Sequence, residues 1–430
     1  MKAIVTLSIV FLYLFGPVFR PLGNFVDLIF LSSIGLIIYS IMKKRNLVPK
    51  YLIYFSPLFF LFIYGAFLVT LNIDTNLGAV MRLLLKPIRI IITIMGGFSL
   101  AFIISKSNCN RIYQDALTYV FLAILIHAII MLVQFNNPVF KDWIYRYTFT
   151  GEFRSSFDYN FRMGGLSGGS GGAVLSVVQG LGILFIPFLW KDTKVALKLL
   201  LVIGGVTIFA SVLVCGRSGL WAVIIGLPTI LLWQSGFTFY KTIIKFPLFI
   251  GLIGVAFYLL LIYYGALNED SKIFYSLGRT LDVFIGYLRG GEFSNPTVNV
   301  LKSHIIFPTD IKTILIGDGE HLLGKQFDRV LHSDIGYIKN IWAFGIIGSI
   351  IYWLPLLLLA ASILRNQYSI LITKPLLMII ILMFVFHLKE NFLYVRMFFS
   401  MISLMAGVYY IEYTNRINCI RLNNLVKHNF

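Results

Sequence analysis

The sequence predicts an all-α, polytopic membrane protein of about twelve transmembrane helices, capped on its outer face by loops. Three observations carry that expectation. Of 430 residues, 58% are hydrophobic and 13% are charged, with a mean hydropathy of +0.86. Apolar runs recur at close to the ~20 residues that a helix needs to cross a bilayer core. Basic residues crowd the short connections of one face, whereas two long hydrophilic loops, 134–162 and 265–334, fall on the other.

The spans follow in order. The first, 3–19, begins behind Met-Lys and lacks a small-residue cleavage site, so it reads as a retained span and not as a signal peptide. Span 25–42 stops at Lys43-Lys44-Arg45, and 51–70 starts after Lys50. Span 88–104 has Arg82 and Arg89 at its mouth and ends before Lys106 and Arg111. Span 117–134 enters the first long loop, and 173–190 returns from it to Lys191. Span 195–214 runs from Lys194 to a tight turn, Cys215-Gly216-Arg217-Ser218-Gly219-Leu220, from which 219–233 departs. Lys241 and Lys245 precede 246–264, and the large loop follows. Span 335–363 ends at Arg365, the short 375–387 starts behind Lys374, and 392–411 leads to Arg416, Arg421 and Lys427.

An even number of spans puts both termini on one face. With Lys2, the short turns and tail of that face hold 17 basic residues against three acidic ones, Asp115, Asp192 and Glu412. By the positive-inside rule it is cytoplasmic. The net charge of +18 and pI near 9.7 are spread over many loops without a nucleic-acid motif, so no nucleic acid is expected as a partner. Anionic lipid headgroups or an anionic substrate suit the charge better. The three cysteines, Cys109, Cys215 and Cys419, imply no disulfide framework. The chain reads as one membrane domain, 1–430.

Within the large loop, Leu277, Leu281, Phe284, Ile285 and Leu288 recur at helical spacing, with Arg279, Asp282, Gly286 and Arg289 opposite them. Such a helix would lie in the outer interface, its arginines ~15 Å apart. Eleven of the sixteen arginines are outside in this topology, including Arg82, Arg89, Arg162, Arg217 and Arg396. Lysine serves solubility equally well. A guanidinium adds a planar fork that matches phosphate oxygens, so the surplus suits a pyrophosphate headgroup, although any single arginine also fits a lipid-phosphate contact.

His332, in Leu331-His332-Ser333-Asp334, stands where the large loop re-enters the membrane. It can exchange protons near neutral pH, and Asp334 is placed to orient it. His127, inside a span, reads as a buried polar contact between helices, and His304 and His321 read as solvated. Lys389 and Glu390, in His387-Leu388-Lys389-Glu390-Asn391, join the last two spans and are candidate substrate contacts or a plain turn pair. The glycine-rich stretch 164–172 lacks the Gly-Lys-Ser/Thr of a phosphate loop and reads as a hinge or close-packing segment. Asp318-Gly319-Glu320-His321 has metal-ligand types at a spacing common in turns, so no metal is expected.

The Gly216-Arg217-Ser218-Gly219-Leu220 turn, Gly278-Arg279-Thr280-Leu281, His332-Ser333 followed by Gly345-Ile346-Ile347-Gly348, and Phe386-His387-Leu388-Lys389-Glu390-Asn391 together resemble the bacterial O-antigen polymerases (Wzy) and the related O-antigen ligases. The resemblance spans the whole topology through short motifs. It implies a GT-C-like glycosyltransferase of the inner membrane, acting at the periplasmic face on glycans linked to undecaprenyl pyrophosphate in lipopolysaccharide O-antigen biosynthesis. It further implies no cofactor, a chain-length regulator protein as a partner besides membrane lipids, and catalytic roles for Arg217, Arg279 and His332. Arg82, Arg162, Arg289, Asp334, Lys389 and Glu390 are the expected substrate contacts. Ser333 stands where the ligases usually have Asn, which favours polymerase.

The chemistry agrees: transfer from a polyprenyl pyrophosphate needs stabilised negative charge on the leaving group and a base for the attacking hydroxyl. A ligase would share the donor and differ in its acceptor pocket. A flippase, a different class, should show ionisable groups deep in its spans and related halves, whereas the charges here gather at span ends, Asp27 and Lys86 excepted. Reporter fusions at Lys44, Lys194 and Lys374 are expected to read cytoplasmic, and those at Gly151 and Asn299 periplasmic. A cytoplasmic signal at Asn299 would put the His332 region on the wrong side.

Overall fold

A computed structural model describes residues 2–19, 27–43, 48–72, 77–106, 111–148, 160, 162–167, 172–190, 193–232, 303–319, 333–365 and 370–428. Among them every regular element is a helix, apart from an isolated bridge between Val18 and Asp27. In chain order these are α1 (Lys2–Phe15), α2 (Leu28–Met42), a 3-10 turn (Lys50–Phe55) continuing into α3 (Ser56–Asn72), α4 (Leu77–Ser105), α5 (Ile112–Asn136) and α6 (Pro138–Thr148). Then follow α7 (Ala173–Trp190), α8 (Val195–Cys215), α9 (Ser218–Leu232), α10 (Ile311–Ile316), α11 (Gly336–Arg365), α12 (Ile370–Phe386) and α13 (Arg396–His428). Six of the described helices are long and apolar enough to cross a membrane, and four shorter ones are apolar.

The helices divide between two compact units. The first comprises Met1–Ile29 and Leu117–Asn295, the second Phe30–Ala116 and Pro296–Phe430. In the first, α7 packs between α8 and α9. Small residues set the spacing: a Cβ on Gly219 would strike the Ser176 carbonyl, and one on Gly226 would strike Leu184. In the second, α13 lies along α4, with Gly407 over Phe98 and Ala101.

Several expectations need correction. The first long loop contains α6, which the chain announces: Pro138 occupies the first helical position, and Asn137 Oδ1 accepts from the Phe140 amide at 3.0 Å. Its Ile144 and Tyr145 are buried against Ile130, Phe140 and Leu166. α4 begins at Leu77, so Arg82 lies on the helix just ahead of its apolar stretch Leu84–Ser105. α13 continues to His428, well past the expected end at 411. Span 246–264, Arg279, Arg289, His332 and the amphipathic stretch 277–288 lie outside the described residues.

Helix α11 is broken at Gly345, where φ is +66° and ψ −174°. That backbone region is essentially confined to glycine. The break strips the carbonyls of Trp342 and Ala343 of their helical donors, and the amides of Asp318 and Gly319 replace them at 3.0 and 3.2 Å. Backbone meets backbone here: a Cβ on Gly317 would lie 2.6 Å from the nitrogens of Phe344 and Gly345, and one on Gly345 would strike Leu315 and Ile316. Gly345→Ala is therefore expected to cost at least the ~1–3 kcal/mol of a strained residue, visible as a lower melting temperature of the detergent-solubilised protein. Unchanged melting would show that the break tolerates a side chain.

Candidate functional site

Of the expected site residues, Arg162 and Arg217 lie in a polar group of the first unit, and Asp334, Lys389 and Glu390 lie near another in the second. In the first unit, Arg162 and Arg217 are drawn to the C-terminal end of α8. The Met163 amide donates to the Val214 carbonyl at 3.0 Å, which seats the 162–167 segment on the last turn of that helix. Arg162 is thereby within electrostatic reach of Cys215. Arg217 follows the helix cap Gly216 and opens α9, its carbonyl accepting from Leu220 and Trp221 at 3.1 and 3.3 Å. The turn is held by Ser176 of α7, whose hydroxyl donates to the Gly216 carbonyl and accepts from the Gly219 amide at 2.7 Å.

The 162–167 segment is pinned from below. Gln134 makes two bonds to the backbone of Gly165, at 2.9 and 3.0 Å, and the Tyr145 hydroxyl accepts from Gly164 at 2.9 Å. His127, buried as expected, accepts from the Leu166 amide on Nε2 at 3.1 Å and stacks on Phe15. Its neutral ring must then carry the proton on Nδ1, which lies 3.1 Å from the Gln179 side-chain amide. As placed, the Gln179 Nε2 faces the ring and its Oε1 accepts from the Ser211 hydroxyl at 3.1 Å; exchanging the two ends of the amide gives Nδ1–H its acceptor. The glycine-rich stretch, as far as it is described, is thus a clamped close-packing segment.

In the second unit, Asp334 precedes the start of α11, where Gly336 lies against the turn that carries Lys389 and Glu390. The reading of His304 as solvated is corrected: its ring is only partly exposed and Nδ1 accepts from the Asp334 amide at 3.1 Å, while the Ser333 hydroxyl donates to the His304 carbonyl at 2.7 Å. The Asp334 carboxylate lies 3.6 Å from that ring and 4.0 Å from Lys339. Asp334 therefore has His304 as its described histidine partner. No sequence signal linked the two, since 30 positions separate His304 from Asp334.

His387 fixes the other side of this group. Helix α12 ends at Phe386, leaving His387 in the turn and fully buried. Its Nδ1 accepts from the Phe392 amide at 3.2 Å, its carbonyl accepts from Gly336 at 2.9 Å, and Tyr337 packs edge-on against the ring. With Nδ1 accepting, Nε2 bears the proton and faces the Asn340 side-chain amide at 2.8 Å. Lys389 and Glu390 are half-buried, their amides bonded to the Phe386 carbonyl at 2.9 and 3.1 Å. Arg82 is placed by its backbone on α4, without a described side chain.

No known family profile matches the chain, and no curated protein sequence does. Among the described residues, no cluster of His, Cys, Asp and Glu suits a metal ion.

Burial, with Lys339 adding to it, pushes the His387 imidazole down to about 3. The unfolded ring titrates near ~6.5. As pH falls below that value the unfolded chain takes up a proton that the folded chain refuses, so stability is full above it and declines by about 1.4 kcal/mol per pH unit from this group. Comparison of melting above pH 7 and at about pH 5 should show His387→Gln less stable at the higher pH, yet losing less on acidification than the native protein. Equal losses in both would assign the acid sensitivity to other groups.

Proposed function

We propose that this chain is an O-antigen polymerase of the Wzy kind: a metal-independent, inverting glycosyltransferase of the bacterial inner membrane, with about twelve spans in a GT-C-like arrangement, cytoplasmic termini and a periplasmic active site. The observation that supports it best is the convergence of Arg162 and Arg217 on one end of α8, held there by Met163 and Ser176. Two arginines carried by backbone at one helix end suit a diphosphate.

In this reading the acceptor hydroxyl, on the non-reducing end of a lipid-linked repeat unit, attacks the anomeric carbon of the growing chain. The bond from that carbon to the pyrophosphate oxygen breaks, and the lipid pyrophosphate leaves with the electron pair. Arg217 and Arg279 stabilise the charge that develops, Arg162 and Arg289 hold the headgroup, and His332 takes the hydroxyl proton. Asp334, Lys389 and Glu390 position acceptor sugar. Asp334 does so from a turn braced by His304.

Loss of one such charge-stabilising donor typically costs ~3–4 kcal/mol, or roughly a hundredfold to a thousandfold in rate. Arg217→Ala, Arg279→Ala and His332→Ala should each abolish the lipopolysaccharide ladder at normal membrane abundance. Arg217→Lys should fail as well, because an ammonium cannot reproduce the bidentate fork, whereas Arg365→Ala should keep the ladder. In a deletion strain, core plus one repeat unit without a ladder supports polymerisation; complete loss of capping points to a ligase or flippase, and an unchanged ladder removes the proposal.

A further inference from the structure

The segment 305–316 exposes an unusual run of large apolar side chains. Ile305, Ile306, Phe307, Ile311, Leu315 and Ile316 are all exposed, Ile311 at 73%. This is not a loose loop. The Trp342 indole donates to the Ile306 carbonyl at 2.8 Å, the Tyr64 hydroxyl donates to the Ile316 carbonyl at 2.8 Å, and Asp310 caps α10 by accepting from the Thr313 amide at 2.9 Å. An ordered segment held with its apolar side outward needs a cover.

Its neighbours within the second unit identify the cover. α10 is seated against the break in α11, and immediately beyond that break Ile346, Ile347 and Ile350 are exposed. Around Tyr64 on α3, Phe60, Ile63 and Phe67 are exposed too. Exposed apolar side chains on helices long enough to span a bilayer face lipid, and Ile316 adjoins both helices, bonded to Tyr64 of α3 and packed against Gly345 of α11. On its other side Thr309, Asp310 and Lys312 are exposed, and His304 with Asp334 marks the polar boundary just before Ile305. An apolar side joined to the lipid-facing belt and a polar side edged by a lysine are the properties of an interfacial element.

We infer that 305–316 is a monotopic membrane element, with Phe307, Ile311 and Leu315 buried among phospholipid acyl chains at one bilayer interface and Lys312 at headgroup level. The turn that carries His304 and Asp334 is then fixed at the membrane surface, within reach of headgroups and not of bulk solvent alone. This inference does not depend on the glycosyltransferase reading.

The full chain, in nanodiscs of phosphatidylethanolamine and phosphatidylglycerol, tests it. With Cys109 and Cys419 replaced by serine and Cys215 buried, a bimane probe at Phe307→Cys or Ile311→Cys should be quenched by spin-labelled acyl chains and shielded from iodide; at Lys312→Cys it should be open to iodide. A phospholipid carrying an acyl-chain diazirine should also label 305–316 of the unaltered chain on illumination, along with α3. The inference is overturned if the two apolar positions stay open to iodide, or if they are shielded from both quenchers, as a second copy or another part of the chain would shield them. Failure of the diazirine to label 305–316 also overturns it.

Discussion

A backbone carbonyl or amide without a partner costs several kcal/mol where no water can reach it, and the irregular stretches described in this chain are arranged around that cost. At the α11 break, Asp318 and Gly319 supply the donors that Trp342 and Ala343 lose. At the end of α8, Ser176 serves both the Gly216 carbonyl and the Gly219 amide. Gln134, Tyr145 and His127 complete the backbone of 163–166, Tyr64 and Trp342 serve the 305–316 segment, and His387 serves the turn before α13. Several of the polar side chains inside the units serve these bonds, His127, Gln134, Ser176 and His387 among them. That is why His127 and His387, the two most buried histidines described, are poor candidates for chemistry: both ring nitrogens are engaged.

Such bonds demand short approach, and glycine makes it possible where it matters most. Gly345 and Gly317 let the α10 backbone touch that of α11, and Gly219 lets Ser176 reach across from α7. The consequence is local rigidity at the points from which candidate residues project. Arg217 leaves a turn fixed by Ser176, and Asp334 leaves a turn fixed by His304, His387 and Gly336.

Hydropathy made the helices legible because a span is a local property: residues 173–190 and 195–214 were placed within a residue of α7 and α8. α6 was legible too, through Asn137-Pro138, but a polar loop composition hid it. The α11 break was not, since Gly345 looks like any small residue of a packed helix until the partner that occupies the gap is known. The site was legible by residue type alone. Arginines near span ends were visible; that Arg162 and Arg217 share one helix end, or that Asp334 faces His304, depends on pairings across the fold which no local pattern encodes.

The position of Arg217 also separates folding needs from chemical ones. A cation at the C-terminus of a helix gains about 0.3–1 kcal/mol from the partial negative charge there, and the gain fades within a turn. Arg162, next to the Met163 amide that bonds the last turn of α8 and within electrostatic reach of Cys215, is placed to provide it. Arg217 gains less, because it also opens α9, whose N-terminal end carries the opposite partial charge and favours anions. The same α9 end that disfavours Arg217 would help to hold a phosphate beside it.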